Sequence, residues 1–365
     1  VYERMLLYLY MLNGIEIYFA ESIETISENL KDVKPHVFTA VPRLLEKVYD
    51  KIIAKGLELT GIKKGLFFWA VRLAELYEPY GANGAWYELK LSIARKLIFS
   101  KWAEALGGEV RIIASGSAAL QPRLARVYLA AGIPVMEGYG LTETSPVISV
   151  NDMRDGGLMI GTVGTLIPDT IVKIAEDGEI LVKGPNVMQG YFNQPEKTAE
   201  VIDAEGWFHT GDIGCMIDDK FLKITDRKKE MFKTSGGKYI APQVLENKFK
   251  ESKFIEQIVV IGENRKFPSA LIVPNFEFLK DWCSNNGINF ETPDQVIQET
   301  KVKDRIDKEI DKYNEGFGQW EKIKKVVLLD RELNIENGEL TPTLKLRRKQ
   351  INLNFEAQIK DIYGE

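Results

Sequence analysis

The sequence predicts an α/β protein in two parts, and three observations carry that expectation. Over residues 1–150 helix-like and strand-like patterns alternate, as in a mainly parallel sheet covered by helices. Residues 110–137 hold the tightest strand–helix–strand signal in the chain. From about residue 160 to 226 the periodicity shifts to short strands and turns, which reads as a small antiparallel β subdomain. Past a charged, glycine-containing segment at Asp226–Lys238, helices and strands resume as a smaller α+β part. The expected division is therefore 1–228 and 229–365, with the boundary at Lys229.

The elements follow in order. Met5–Asn13 reads as a helix stopped by Gly14, and Ile15–Phe19 as a strand. Ser22 opens a helix over Ile23–Leu30, and His36–Val41 is a short, buried strand closed by Pro42. Residues 43–106 read as amphipathic helix, interrupted at Gly61, Gly65 and a Gly81–Gly84 turn. Val110–Ala114 is a strand, Ser115–Leu120 a loop of small residues, Pro122–Ala131 a helix and Ile133–Glu137 the next strand. Pro122 suits a first helical turn, where its missing N–H would have no partner anyway. Asp177–Gly178 between Thr170–Ile174 and Glu179–Val182 is a hairpin signal, and Asp218–Asp219 separates Ile213–Ile217 from Phe221–Thr225. Beyond the boundary, Gln243–Lys250 reads as helix, Ile255–Ile261 and Ala270–Val273 as strands, the stretch to about 316 as helical, and Val326–Leu329 as a strand.

Composition removes several function classes. A chain of 365 residues, 45% hydrophobic, buries a large core without metals or disulfides. The 48 basic against 53 acidic side chains, net −5, argue against a nucleic-acid binder. Cys215 and Cys283 form no CxxC pair, which points away from structural zinc and disulfides and toward a reducing compartment. Only His36 and His209 are present, so a histidine-based triad and an HExxH metal site are excluded. No apolar stretch approaches the ~18 residues of a membrane span, and no signal-peptide pattern opens the chain. A cytoplasmic location is the expectation. Phe67–Val71 leaves a peripheral contact with the cytoplasmic membrane face open, although Arg72 and Glu75 fit an ordinary core-facing helix. The chain opens at Val1 within a helical pattern, which points to the downstream part of a longer protein.

Three segments carry chemistry. Glu137-Gly-Tyr-Gly-Leu-Thr-Glu-Thr-Ser-Pro146 lies where a parallel strand ends, the place where open α/β sheets bind ligands. Gly138 and Gly140 admit close approach of a ligand, Tyr139 offers a stacking face, Thr142 a hydroxyl for phosphate and Glu143 a hard oxygen for Mg²⁺. A plain Gly-rich turn with a Thr/Glu helix cap explains the same residues about as well. Ser115-Gly-Ser-Ala-Ala-Leu120 ends the neighbouring strand. Gly206-Trp-Phe-His-Thr-Gly-Asp212 reads as a tight turn presenting Asp212, whose two carboxylate oxygens suit a ribose diol. His209 in that turn reads as support for Asp212.

Together with ITDRKKEMFKTSGGKYIAP at 224–242 and ELTPTLKLRR at 339–348, these segments resemble the adenylate-forming (AMP-binding) superfamily. AVPRLLEKVY at 40–49 and YFAESIETI at 18–26 resemble its long-chain fatty acid–CoA ligase branch in particular. The resemblance runs the length of the chain. It implies ATP, CoA and Mg²⁺ as substrates and metal, a long-chain fatty acid as the acid, and an acid–thiol ligase reaction. It also implies a partial large N-terminal domain and a mobile C-terminal domain. Tyr139 with Ser115, Gly116, Ser117 and Ala118, next to Glu137, Gly138 and Gly140, would hold adenine. Thr142 would hold the phosphates, Glu143 the Mg²⁺, and Asp212 and Arg227 the ribose. Lys229 matches the hinge position, Lys233 and Tyr239 the mobile loop, and Lys345 the lysine inserted for adenylation, so that Lys345, Thr142 and Glu143 are the catalytic candidates. Pro42 and Arg43 fall near the implied acyl channel.

One departure is plain. The family's TSGTTGxPKG-type phosphate loop is not among these 365 residues, nor is a GxxxxGK(S/T) substitute. Thr234-Ser-Gly-Gly-Lys238 lies in the hinge and lacks the spacing. The loop precedes Tyr2 in the family, so the expectation is a fragment without it; the alternatives to a long-chain ligase are another acyl or aryl adenylating ligase, or an inactive truncated chain with residual nucleotide binding.

Overall fold

Three short segments form parallel strands, β1 (Val37–Ala40), β2 (Ile112–Ser115) and β3 (Val135–Tyr139), the first two half β-branched. The computed structural model describes residues 2–22, 25–341 and 344–365. It divides into two compact units, one ending at Ile224 and one spanning Thr225–Glu365.

In the first unit, helices α1 (Tyr2–Leu12), α2 (Ile26–Val33), α3 (Pro42–Glu58), α4 (Gly61–Ala74), α5 (Ala85–Ala94), α6 (Ser100–Ala105) and α7 (Pro122–Ala130) alternate with the parallel strands. Antiparallel strands follow: β4 (Ser149–Val150), β5 (Thr165–Leu166), β6 (Ile171–Ile174), β7 (Glu179–Lys183), then helix α8 (Pro195–Val201), β8 (Phe208–Ile217) and β9 (Phe221–Arg227). The order β1-β2-β3-β4-β5-β9-β8-β7-β6 makes one nine-stranded sheet. The antiparallel strands are thus continuous with the parallel ones, through Gly138 opposite Val150 and Tyr139 opposite Ser149.

Pro42 and Pro122 each sit in the first turn of a helix. Those helices pack a core in which Trp102 meets Phe99 and Tyr49 edge-on, with ring centres 5.0 and 6.3 Å apart. Tyr128 is fully buried and donates its hydroxyl to the Leu45 carbonyl. Phe67, Ala70 and Val71 of α4 belong to this core, and Phe68 and Trp69 pack against it partly buried. Among the described residues no helix is long and apolar enough to cross a membrane.

Some sequence expectations shift. Ile15–Phe19 pairs with no strand, and Ile15 and Phe19 are exposed. The expected helix over Ile23–Leu30 runs instead over Ile26–Val33, and Ile23 and Glu24 lie outside the described residues. His36 is exposed at the open edge of the sheet, its Nε2 3.6 Å from Glu109, because β1 has a neighbour on one side only.

In the second unit a short hairpin, β10 (Phe232–Lys233) with β11 (Tyr239–Ile240), leads into α9 (Pro242–Phe249). A three-stranded sheet then forms from β12 (Ile255–Ile261), β13 (Ser269–Pro274) and β14 (Val326–Leu328). Ile258 and Val260 face one apolar cluster while Val259 and Ile261 face another, the period-two alternation of a strand covered on both sides. The helical stretch after β13 divides into α10 (Phe276–Asn285), α11 (Pro293–Val296) and α12 (Thr300–Asn314), broken at Gly287, whose φ is +66°, and at Pro293. Helices α13 (Arg348–Asn354) and α14 (Glu356–Tyr363) close the chain.

Candidate functional site

The carboxyl ends of β2 and β3 lie side by side, with Ser115 opposite Glu137. Glu137 is buried and accepts the Leu120 N–H at 2.8 Å, which fixes the far end of the Ser115–Leu120 loop to β3. Burial raises its carboxyl to about 8, the Leu120 bond opposing only in part, so the fold favours the protonated acid. Ser115 and Gly116 are buried, whereas Ser117 and Ala118 are exposed, with Ser117 at φ +70°. A Cβ on Gly116 would lie 3.6 Å from the Tyr2 ring and 3.8 Å from the Gly138 carbonyl, so that face of the loop is packed against both.

Gly140 has no room for a side chain. A Cβ there would fall 1.7 Å from the Pro146 carbonyl oxygen, which is how the chain turns sharply after Tyr139 into the short 3₁₀ turn Thr142–Thr144. Thr144 Oγ1 accepts the Leu141 N–H and pins that turn, leaving Thr142 exposed. Glu143 Oε1 accepts the Tyr191 hydroxyl at 2.9 Å. Burial and this bond together raise the Tyr191 phenol above its ordinary range.

Asp212 reaches the site from another direction. The segment expected as a tight turn is strand: β8 begins at Phe208, and the turn proper is Asp203–Trp207. Between Glu179–Leu181 of β7 and Ile213–His209 of β8 the register slips, leaving Thr210, Gly211 and Asp212 as a bulge with Gly211 at φ +70°. Asp212 is buried and accepts the Tyr139 hydroxyl at 2.6 Å, the length of a charge-assisted bond. The bulge is held by Glu179 Oε1, which accepts the Gly211 N–H, and by Thr210 Oγ1, which accepts the Asp212 N–H. His209 does not support Asp212. Its Nδ1 lies 3.1 Å from Glu179 Oε2, because alternate residues of a strand point to opposite faces and the bulge intervenes.

The structure thus gathers Ser115, Gly116, Glu137, Gly138, Tyr139 and Gly140 at adjoining strand ends and joins Asp212 to Tyr139. Thr142 and Glu143 follow on the next turn. Thr210, Glu179 and Tyr191 were missed. Thr210 lies within a quoted motif, but nothing local to the sequence names its partner. Arg43, near the expected acyl channel, pairs with Glu46 at 3.1 Å.

Among the described residues no three His, Cys, Asp or Glu side chains gather as a metal cluster. Mg²⁺ does not need one, since it binds through one or two carboxylates together with substrate phosphates and water. Glu143, whose carboxylate the Tyr191 hydroxyl holds, has the hard oxygen donor that such a site needs.

Arg227, Lys229, Lys233, Tyr239 and Lys345 belong to the second unit and are all exposed. Lys233 and Tyr239 are cross-strand partners, with the ammonium 4.6 Å from the ring centre. Lys345 lies on a hairpin closed by Leu340 opposite Leu346 and by the Thr341 N–H on the Lys345 carbonyl at 2.8 Å. Its own N–H reaches Thr341 Oγ1. Leu344 is held at φ +60°, a strained setting for a branched residue, and Pro342 and Thr343 lie outside the described residues. Buried Glu339 at the hairpin base accepts both ends of the Arg331 guanidinium and the Asn354 amide.

This sheet, ending in a Tyr–Asp pair beside a glycine-rich loop, is the fold of adenylation domains. The adenylation domain of a carboxylate reductase from Mycobacterium chelonae aligns over 95% of this chain and 49% of its own, at 22% identity and a TM-score of 0.66. The O-succinylbenzoate Coenzyme A synthetase from Bacillus subtilis, in complex with ATP and magnesium ion, aligns over 95% and 58%, at 20% identity and a TM-score of 0.59. The AMP-binding enzyme family model matches residues 1–192 and that of the AMP-binding enzyme C-terminal domain residues 230–365; the chain belongs to the AMP-binding enzyme family. Its curated relatives include long-chain-fatty-acid–CoA ligase FadD15 of Mycobacterium bovis, 35% identical over 96% of this chain and 58% of that protein. Long-chain-fatty-acid–CoA ligase 5 of Rattus norvegicus is 37% identical, over 95% and 51%. The chain spans about half the length of these relatives.

Proposed function

We propose that the protein carrying this chain is a long-chain fatty acid–CoA ligase. It joins a fatty acid to AMP at the expense of ATP, then passes the acyl group to CoA. The observation that carries the proposal is the 2.6 Å bond from Tyr139, at the end of β3, to Asp212 in the β8 bulge, which supports reading the ring as a stacking face and the carboxylate as a diol acceptor. The names of the curated relatives support the choice of acid.

In this reading Tyr139 and the Ser115–Ala118 loop hold adenine, Asp212 and Arg227 the ribose, and Thr142 the phosphates. Glu143 would hold Mg²⁺, which when bound neutralises phosphate charge. The fatty acid carboxylate attacks the α-phosphorus and pyrophosphate leaves. The protein's part is to position and to neutralise charge, with Lys345 supplying an ammonium to the α-phosphate and the acyl carboxylate. The mobile domain, 229–365, then turns about Lys229, Lys345 withdraws, and the CoA thiol attacks the acyl-adenylate with release of AMP. Lys233 and Tyr239 lie on the loop that meets nucleotide or CoA.

The test is acid competition on the full-length protein, following pyrophosphate and thioester. Palmitate should drive both and outcompete octanoate and benzoate. Faster turnover with an aryl or medium-chain acid, or adenylation without CoA ester, would overturn the assignment.

A further inference from the structure

The turn that contains Lys229 is tied down on both sides, and both ties lead to one helix. The turn itself is closed by the Glu230 and Met231 N–H groups on the Arg227 carbonyl, at 2.9 and 3.0 Å. Before it, buried Asp226 accepts the Gln243 N–H in the first turn of α9 at 3.1 Å and the Arg227 N–H at 2.6 Å. After it, Glu230 Oε2 accepts Arg348 Nε at 3.2 Å. The same guanidinium forks onto Glu246 of α9, with both bonds at 2.7 Å, and Glu246 Oε1 also accepts the Val260 N–H of β12. Arg348 is the first residue of α13 and follows the Lys345 hairpin by two residues.

The two halves of this Arg348 junction differ in strength. The Glu246 side chain is 5% exposed and receives a planar fork, so breaking that pair would strand a buried charge. Glu230 is 36% exposed and makes one longer contact, the kind of ion pair that water readily replaces. Glu230 also has somewhere to go. A cavity of about 330 Å³ is lined by Lys229, Glu230, Arg348, Lys349 and Asn352.

We propose that the Glu230–Arg348 ion pair is a latch between the Lys229 turn and the Lys345 hairpin. Closed, it makes residues 226–230 one rigid body with α9 and α13, and Lys229 has no freedom to act as a pivot. Open, it frees the turn while Arg348 stays on Glu246. Glu230 and Arg348 are positioning residues. The consequence for turnover rests on the reading of Lys229 as a hinge; the latch itself does not.

Amide exchange on the full-length protein tests it without substrate. Glu230→Gln should speed exchange at positions 230 and 231 by at least about 5-fold, while 344 and 345 of the hairpin, still anchored through Arg348 on Glu246, keep theirs. The Val259 and Leu271 amides, paired across β12 and β13, should keep their protection, which a merely structural loss would not allow. Arg348→Lys, which also gives up the fork onto Glu246, should speed the turn as much and the hairpin as well, and the double variant should not speed the turn further. Unchanged exchange in the turn of Glu230→Gln, or additive effects there in the double variant, would overturn the latch. If Arg348→Lys exposes the sheet amides as well, Glu230→Gln alone decides. The two half-reaction rates are then measured on Glu230→Gln. A change in their ratio of at least about 3-fold supports the coupling to turnover. Faster exchange with an unchanged ratio supports the latch and counts against the hinge reading of Lys229.

Discussion

The Tyr139 hydroxyl donates to Asp212 Oδ2 across 2.6 Å, joining the end of a parallel strand to a bulge 73 residues later. The pair fixes the Tyr139 ring by its far end and aims the carboxylate. Each residue therefore has a separable effect on nucleotide binding.

Asp212→Ala should weaken ATP binding to the full-length protein by about 1.5–3 kcal/mol and leave fatty acid binding nearly unchanged. Tyr139→Phe keeps the ring and loses only the bond, so its effect should be smaller, about 0.5–1.5 kcal/mol. Calorimetric titration with ATP measures both. An Asp212→Ala protein that binds ATP normally removes the ribose assignment.

Lys345→Ala should slow acyl-adenylate formation by roughly 10²–10³-fold, the usual effect of removing one preorganised donor. Thioester formation from supplied acyl-adenylate should remain near normal. Arg should not substitute freely, because its planar fork differs from a point ammonium. Equal loss in both rates would make the lysine structural, and loss in neither would remove it from the mechanism.

Gly140→Ala should destabilise the protein by about 1–3 kcal/mol, because the new methyl meets backbone rather than a side chain that can move aside. Gly138→Ala is the control, since a Cβ there finds ordinary contacts at 3.5 Å or more. Denaturant midpoints of the two variants should separate clearly. Equal midpoints would mean that the Gly140–Pro146 approach relaxes freely.

Glu137 makes stability depend on pH. Its carboxyl is raised to about 8 in the folded protein, so the native state holds a proton that the unfolded chain has released. That contribution is complete below the unfolded value near ~4.3 and is lost as pH climbs to about 8. Asp226, raised to about 6 by burial, acts in the same direction at lower pH, so the comparison belongs between pH 6 and 8. There Glu137→Gln, which keeps an acceptor for Leu120, should flatten the slope by up to ~1.4 kcal/mol per pH unit. It should also be the more stable protein at pH 8. Parallel stability curves for wild type and variant would show that Glu137 is ionised in the fold.

What the sequence determined by itself is what short-range chemistry encodes. Pro42 and Pro122 mark helix starts, Asp177–Gly178 marks a hairpin, and Ile255–Ile261 reads as a strand, because each depends on a few adjacent residues. The motif residues at the ends of β2 and β3 were also legible, since parallel strands bring their carboxyl ends together. Tertiary structure decided the partners. Asp212 meets Tyr139, and His209 turns to Glu179 instead, because a bulge shifts the register of β8 against β7. Burial favours the protonated form of Glu137. Arg348 reaches Glu230 across 118 positions because Asp226 ties the turn to α9 and Glu246 of the same helix holds Arg348. Local patterns fix which bonds a segment can offer; which far residue accepts them depends on register and burial, and these exist only once the chain has closed on itself.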